Sequence, residues 1–248
     1  MKKWILSFLI LIVGFGVTSC NKELIDYSVE DAFSLMNEAI QDYLDATSLS
    51  LVYSGTYTSS TYNNVENMEI KMKEMGSSDL IGKASMEITE NSELVTNVIY
   101  YEDGYIYTNN VTGEETQLTK QVLDYAEYES LYSSFLKSQI NYEMTREVQI
   151  IVSLEQLTVH FELASAEVES TFFVSPVLST VNFATVDVTL NHDGRLLSLN
   201  VTYDGTISSI VGTETYSIVI SKINQYVIID QLSYLEKANY EEVDPNEE

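Results

Sequence analysis

From residue 29 onward, apolar side chains first recur at steps of three and four positions and then at every second position. Val29, Ala32, Phe33, Met36, Ala39, Ile40, Tyr43 and Leu44 fall on one side of a helix, with Glu30, Asp31, Glu38, Gln41, Asp42 and Asp45 on the other. Ser28 stands where an N-cap oxygen accepts from the third helical residue, and Asp31 is the reciprocal acidic partner there. A helix with one greasy side needs an apolar surface to lie on.

The period then drops from 3.6 to 2, the signature of a strand with one dry and one wet face. Leu49, Leu51, Tyr53, Gly55 and Tyr57 alternate with smaller polar residues, and Met68, Ile70 and Met72 alternate with Glu69, Lys71 and Lys73. Gly82, Ala84, Met86 and Ile88 do the same against Lys83, Ser85 and Glu87. Residues 94–101 lead through Glu102-Asp103-Gly104 into Tyr105-Ile106-Tyr107, and Asp-Gly between apolar runs signals a hairpin, because glycine takes the positive φ of a tight turn. A second turn at Thr112-Gly113 leads into a short strand expected to end near residues 116–118. A second helix is expected over 120–140, with Val122, Leu123, Tyr125, Ala126, Leu131, Tyr132, Phe135, Leu136 and Ile140 as its apolar stripe.

Strands resume with Val148, Ile150, Val152 and Leu154, then Leu157, Val159, Phe161 and Leu163. Residues 164–182 read equally as short helix or loop, Pro176 opposing a continuous element. Ala184, Val186, Val188 and Leu190 run to the turn Asn191-His192-Asp193-Gly194, from which Leu197, Leu199, Val201 and Tyr203 return. Runs at 216–220 and 226–229 are expected to close the sheet, and the last dozen residues to fray as an acidic tail. The pattern is α+β: two antiparallel meanders, each with a helix nearby, and no linker between them. It gives a single domain over 29–235 and an acidic tail over 236–248.

The first residues carry a different signal. Lys2 and Lys3 precede an almost wholly apolar run from Trp4 to Val17, and Val17-Thr18-Ser19-Cys20 ends it with small residues before a cysteine. An apolar run of roughly a dozen residues is too short to span a ~30 Å hydrocarbon core. Cys20 is the only cysteine in the chain and stands where a lipid-modifying enzyme needs a thiol, in a sequence similar to a bacterial lipobox. Residues 1–19 are therefore expected to be a lipoprotein signal peptide, Cys20 the lipidated residue, and 20–28 a tether on the outer face of a membrane. A lone cysteine also leaves no disulfide framework, so packing must stabilise the fold.

Without residues 1–19 the chain has 10 basic and 38 acidic residues, a formal charge of −28. Such a surface repels nucleic acid and anionic headgroups, and neither is expected as an electrostatic partner. The chemistry of the remaining residues is sparse. His160 and His192 are the only histidines, His160 sharing a strand side with Thr158 and Glu162 and His192 lying in a hairpin turn. They supply too few ligands for a transition metal, and no Asp-x-Asp-x-Asp-Gly loop offers a calcium site. Ser134-Phe135-Leu136-Lys137 matches Ser-x-x-Lys without an accompanying Lys-Thr-Gly, and two of its residues fit the helical stripe. Paired acids such as Glu114-Glu115 select nothing among so many carboxylates. The sequons at Asn110-Val111-Thr112 and Asn200-Val201-Thr202 have no expected use in a bacterial lipoprotein. No catalytic residue, metal or cofactor is expected. What remains is the methionines Met68, Met72, Met75 and Met86 and the 18 tyrosines, side chains that suit either sheet packing or a pocket for variable apolar shapes.

A lipobox, an N-terminal amphipathic helix, a long meander, a mid-chain helix and a second meander together resemble the LolA/LppX-like lipoprotein carrier fold. The phrases Tyr100-Tyr101-Glu102-Asp103-Gly104-Tyr105-Ile106-Tyr107, His192-Asp193-Gly194-Arg195-Leu196 and Ile223-Asn224-Gln225-Tyr226-Val227-Ile228 look like hairpins in Gram-positive lipoproteins of this kind, although Asp230 and Gln231 stand where a proline usually follows the last. The resemblance implies a strongly curved antiparallel sheet, an open half-barrel, with amphipathic helices on its concave face. It implies non-covalent binding of a lipid or other hydrophobic ligand, no cofactor, and no catalytic residues to carry over. The alternative is a structural or interaction lipoprotein that binds another envelope protein through its acidic surface.

Overall fold

The structure is a computed structural model and describes residues 26–59, 63–90, 93–133, 135–172, 178, 180–207 and 210–243. Cys20, Ser134, Pro176 and residues 244–248 lie outside them.

Helix α1 (Val29–Leu44) starts at the expected cap: the Asp31 N–H donates to Ser28 Oγ at 3.1 Å, and Ala32, Phe33, Met36, Ala39, Ile40 and Tyr43 are buried. Six strands follow as a meander: β1 (Ser48–Ser59), β2 (Asn63–Lys73), β3 (Ile81–Glu90), β4 (Glu93–Glu102), β5 (Tyr105–Thr112) and β6 (Glu115–Val122). The β4–β5 hairpin turns on Asp103 and Gly104 at φ 55° and 78°, both positive as a two-residue type I′ loop requires. After helix α2 (Tyr125–Ser133) and a 3₁₀ turn (Tyr142–Met144) come β7 (Thr145–Val152), β8 (Gln156–Ala164), helix α3 (Ser165–Thr171), β9 (Thr180–Asn191), β10 (Leu196–Ile207) and β11 (Ile210–Ile223). A helical turn α4 (Tyr234–Lys237) and a short strand β12 (Glu241–Glu242) end the described chain.

All twelve strands belong to one open, curved sheet in the order β12-β6-β5-β4-β3-β2-β1-β11-β10-β9-β8-β7. Each meander is sequential, and the seam between them is the antiparallel pair β1–β11, which sets Tyr53 opposite Ile218 and Gly55 opposite Tyr216. The first and last long strands thus meet at the centre, and the middle of the chain must pass from one side of the sheet to the other. Residues 123–144 make that crossing over the apolar face. Tyr128 stacks on Tyr101 of β4, Phe135 stacks on Tyr53 of β1, and Leu136 bridges to Phe172 after α3. The crossing ends beside α1, where the Ile140 N–H donates to Asn37 Oδ1 at 2.8 Å and Asn37 Nδ2 returns a bond to the Ile140 carbonyl at 2.9 Å.

Four sequence expectations change here. The strand expected to stop near residues 116–118 continues to Val122, because Lys120 pairs with Tyr107 and Val122 with Tyr105. That consumes the start of the expected helix 120–140, and α2 is only nine residues long. Its deepest side chain is Tyr128, outside the expected stripe, while Val122 and Leu131 are exposed. Residues 226–229 form no strand: both sides of β11 are taken by β1 and β10, and Asn224 at φ 51° turns the chain away. Val227 and Ile229 are nevertheless buried. Finally, the stretch read as a frayed tail is docked as far as Val243. Glu241 and Glu242 pair in parallel with Thr119 and Lys120, Lys237 Nζ lies 3.0 Å from Glu102 Oε1, and the Tyr240 ring meets Tyr107 edge-on. The open choice at 164–182 resolves into the short helix α3, with 173–177 outside the described residues.

Candidate functional site

Strand register sorts the inward side chains into rows that run across the sheet. One row reads Val159, Val188, Leu199, Ile218, Tyr53, Met68, Met86, Asn97, Asn110. The next reads Phe161, Val186, Val201, Tyr216, Gly55, Glu66, Ile88, Val95. Over β8–β11 both rows are apolar and buried. Beyond β1 they change: Met86, Ile88 and Val95 are only half-buried, and Glu66, Asn97 and Asn110 appear on the same face. A third row, Tyr203, Glu214, Tyr57, Asn64, lies nearest the end where β1 turns into β2.

The helices explain the difference in burial. Helix α1 packs on β7–β10, with Phe33 against Phe161 at a ring separation of 5.8 Å, and α3 packs on β8 and β9. Helix α2 seals the opposite end of β3 and β4, where the Tyr128 ring fits over Gly82 and beside Tyr101. Among the described residues, the far halves of β3 and β4 carry no such cover. Apolar side chains left half-exposed on the face that forms the core are a ready contact surface.

At the margin of that stretch Tyr53, Gly55, Tyr57, Asn64, Glu66 and Glu214 line a cavity of about 40 Å³. The Tyr53 ring lies over Gly55 so closely that a Cβ there would be 2.5 Å from its hydroxyl, so only glycine lets the ring lie flat along the strand. Tyr53 stacks on Tyr216, and the Tyr203 hydroxyl donates to that of Tyr216 at 3.4 Å. Burial raises the Tyr53 phenol well above its ordinary pKa, and the nearby Glu66 and Glu214 carboxylates raise it further. Burial likewise raises Tyr203 and Tyr216, and it lifts the Glu66 carboxyl above the usual carboxylate range. Among the described residues, Asn64 Oδ1 is buried without a hydrogen-bond donor, as are Asn97 Oδ1 and Asn110 Oδ1 on neighbouring β4 and β5. A larger hollow of about 270 Å³ lies at β1–β4. Met68 and Met86 line it together with Val52, Asn67, Glu69, Ser85, Glu87 and Thr96 of the opposite strand parity, and Glu69 is already paired with Lys71 at 2.7 Å.

The residues singled out from sequence fall as follows. Met68 and Met72 are buried in the sheet core, Met75 packs at its edge, and Met86 is the half-buried one beside the site. His160 pairs with Asp187 of β9 at 2.7 Å, and His192 meets the Tyr27 hydroxyl at 3.3 Å and the Ser153 carbonyl at 2.9 Å. These are separate structural contacts, and among the described residues no three His, Cys, Asp or Glu side chains gather as a metal site would require. Glu114 and Glu115 are exposed at the β5–β6 turn. Among the described residues no helix is long and apolar enough to cross a membrane. The sequence reading missed Asn64, Glu66 and Glu214. Their signal was phase: Asn64 and Glu66 continue the parity of Met68, Ile70 and Met72, and Glu214 that of Tyr216, Ile218 and Ile220.

No protein-family model matches the chain, and no curated protein matches it. Among solved structures it is similar to the lipoprotein LppX of Mycobacterium tuberculosis, with 12% identity over 82% of this chain and 100% of that one, at a TM-score of 0.46. It is also similar to LprF from Mycobacterium bovis, with 12% identity over 83% of this chain and 99% of that one, at a TM-score of 0.49.

Proposed function

We propose that this chain is a lipoprotein of the bacterial cell envelope that binds a lipid or other hydrophobic ligand non-covalently and catalyses no reaction. On this reading residues 1–19 are removed, lipid on Cys20 holds the protein at the outer face of the membrane, as in a Gram-positive cell, and 20–28 tether a single domain over 29–235. The helices lie in the hollow of the curved sheet, and the ligand occupies the part of that hollow they leave open. The observation that carries the reading is the half-buried run Met86, Ile88 and Val95 on the same face as a fully buried core. Each methylene transferred there from water contributes about 0.8 kcal/mol, so an acyl chain of ordinary length can be held without any polar contact.

Lipid extraction and native mass spectrometry of the full chain test it. A co-purifying lipid, lost in Met86→Glu while the circular dichroism is unchanged, is the expected result. A protein that carries no lipid and takes up none from vesicles contradicts it. The anchor is tested separately by Cys20→Ala, which is expected to move the chain from the detergent phase to the aqueous phase on Triton X-114 partition.

A further inference from the structure

We infer that one end of the sheet docks on the membrane surface through exposed apolar side chains of the strap that follows β11. The inference rests on the reading of Cys20 as a lipid anchor. Strand register brings the turns after α1, β2, β4, β7, β9 and β11 to this end. The strap, residues 224–240, runs across it. The Asn224 N–H donates to the Ser48 carbonyl at 3.0 Å at its start, and Lys237 Nζ lies 3.0 Å from Glu102 Oε1 near its finish. Val227 and Ile229 are buried and hold the strap down, while Tyr226, Ile228, Tyr234 and Leu235 are 81%, 65%, 86% and 78% exposed. The last two project from α4, which a reciprocal Ser233–Glu236 cap fixes. Single exposed apolar residues are ordinary on a protein surface; this many large ones on one short strap make a contact surface.

The place where the described chain begins selects the occupant. Tyr27, just before α1, meets His192 Nδ1 of the β9–β10 turn at 3.3 Å, and His192 Nε2 lies 2.9 Å from the Ser153 carbonyl, next to the exposed Leu154. From the same β9–β10 turn Arg195 Nη2 donates to the Ser221 carbonyl at 2.8 Å, and Lys222 Nζ donates to the Tyr226 carbonyl at 2.8 Å. The start of α1 and the strap thus share one end. Cys20 stands seven residues before Tyr27. Lipid on it holds this end within about 25 Å of the bilayer, the reach of that many extended residues. The opposite end lies about 40 Å away along the 12-residue β1, beyond that reach.

Charge agrees with this occupant. From Lys222 to Lys237 two lysines stand against Asp230 and Glu236, so the strap is neutral in a chain whose formal charge without residues 1–19 is −28. Anionic headgroups that repel the rest of the surface do not repel the strap, whereas a second copy would bring the same net negative charge against itself. Tyrosine rings with polar tips suit the headgroup level, and Ile228 and Leu235 suit the acyl boundary below it. Docked in this way, the half-buried Ile88 and Val95 lie at the end of β3 and β4 remote from the bilayer.

Trp4 is the only tryptophan, so Trp4→Phe leaves a chain into which a single reporter can be placed. Leu235→Trp puts it on the strap, and Val211→Trp puts it at the opposite end, where Val211 is 76% exposed beside the β10–β11 turn. Each full chain is reconstituted into phosphatidylcholine vesicles, floated on a density gradient, and compared between ordinary lipid and lipid brominated on its acyl chains, which quenches tryptophan on contact. Quenching of the Leu235→Trp chain is expected to exceed that of the Val211→Trp chain by about threefold. Adding Tyr226→Ser and Tyr234→Ser to the Leu235→Trp chain is expected to lower its quenching to the Val211→Trp level with the circular dichroism unchanged, because both side chains are exposed. Equal quenching of the two reporters on floating vesicles overturns the inference and leaves the anchor standing. Quenching that survives the two serine changes also overturns it, since the tether alone would then hold the strap near the lipid. A chain that does not float overturns both readings.

Discussion

The ring of Tyr128 lies so close over Gly82 that a Cβ on that glycine would stand 2.3 Å from its Cε1. Tyr128 is fully buried between Tyr101 and Tyr132, with both ring separations 4.7 Å, so the ring has nowhere to retreat. This contact fixes where the chain begins its crossing from β6 to β7. Gly82→Ala is therefore expected to destabilise the protein by about 1–3 kcal/mol, the range for overpacking a filled core. Urea unfolding followed by circular dichroism measures it; a midpoint equal to wild type would mean the ring moves freely.

Two neighbouring tyrosines should respond in opposite ways to loss of the hydroxyl. Tyr101 donates to the Leu123 carbonyl at 3.0 Å, whereas the Tyr128 hydroxyl is buried with no partner among the described residues. Tyr101→Phe is expected to cost about 1 kcal/mol, and Tyr128→Phe to be neutral or stabilising by up to about 1 kcal/mol. The same unfolding series compares them directly.

Glu66 gives the ligand-free protein a pH signature. Burial raises its folded-state pKa above the unfolded value, so over the interval between the two the native state binds more protons than the unfolded chain. The stability contributed by the neutral carboxyl is present below the unfolded pKa and is lost as pH rises through the folded one. Glu66→Gln removes that loss. Its Tm should exceed wild type at pH 7, and the difference should shrink as the pH falls toward 4.5, the unfolded-state value, and below. Thermal melts across that range check the sign, and a variant less stable at pH 7 would contradict it.

Two ion pairs tie down the docked end of the chain, Lys120 to Glu242 at 3.2 Å and Lys237 to Glu102, and the second is the more buried. Lys237 Nζ lies 3.0 Å from Glu102 Oε1, and the Glu102 side chain is only 7% exposed. Lys237→Met leaves a buried carboxylate without its partner. A loss of about 1–3 kcal/mol is expected, below the cost of breaking a fully buried pair, because the lysine is itself partly solvated. Adding Glu102→Gln should restore most of it. A double-mutant cycle reports the coupling, and a value near zero would show that Tyr240 and β12 hold the segment unaided.

Much of the local structure was legible in the sequence, because local physics decides it. Ser28 caps α1 through a bond to a residue three positions on, and Asp103-Gly104 turns the chain through its own φ angles. The parity of Leu49, Leu51 and Tyr53, or of Val159, Phe161 and Leu163, shows which side chains share a face before any partner strand is known. The likeness of Val17-Thr18-Ser19-Cys20 to a lipobox rests on sequence alone, since Cys20 lies outside the described residues.

The tertiary structure decided what depends on non-local pairing. The segment 120–140 carries helix-like spacing, yet residues 120–122 pair with β5, and the strand partner outweighs the weak local preference. Residues 226–229 read as a strand but find both edges of β11 already occupied. The site is the clearest case. Glu66 and Glu214 are far apart in the chain, and in sequence each is one acid among 38. They share a cavity only because β1 lies between β2 and β11, with Gly55 opposite Glu66 and Tyr57 opposite Glu214. Sequence sets the phase of each strand; the order of the strands sets which phases meet.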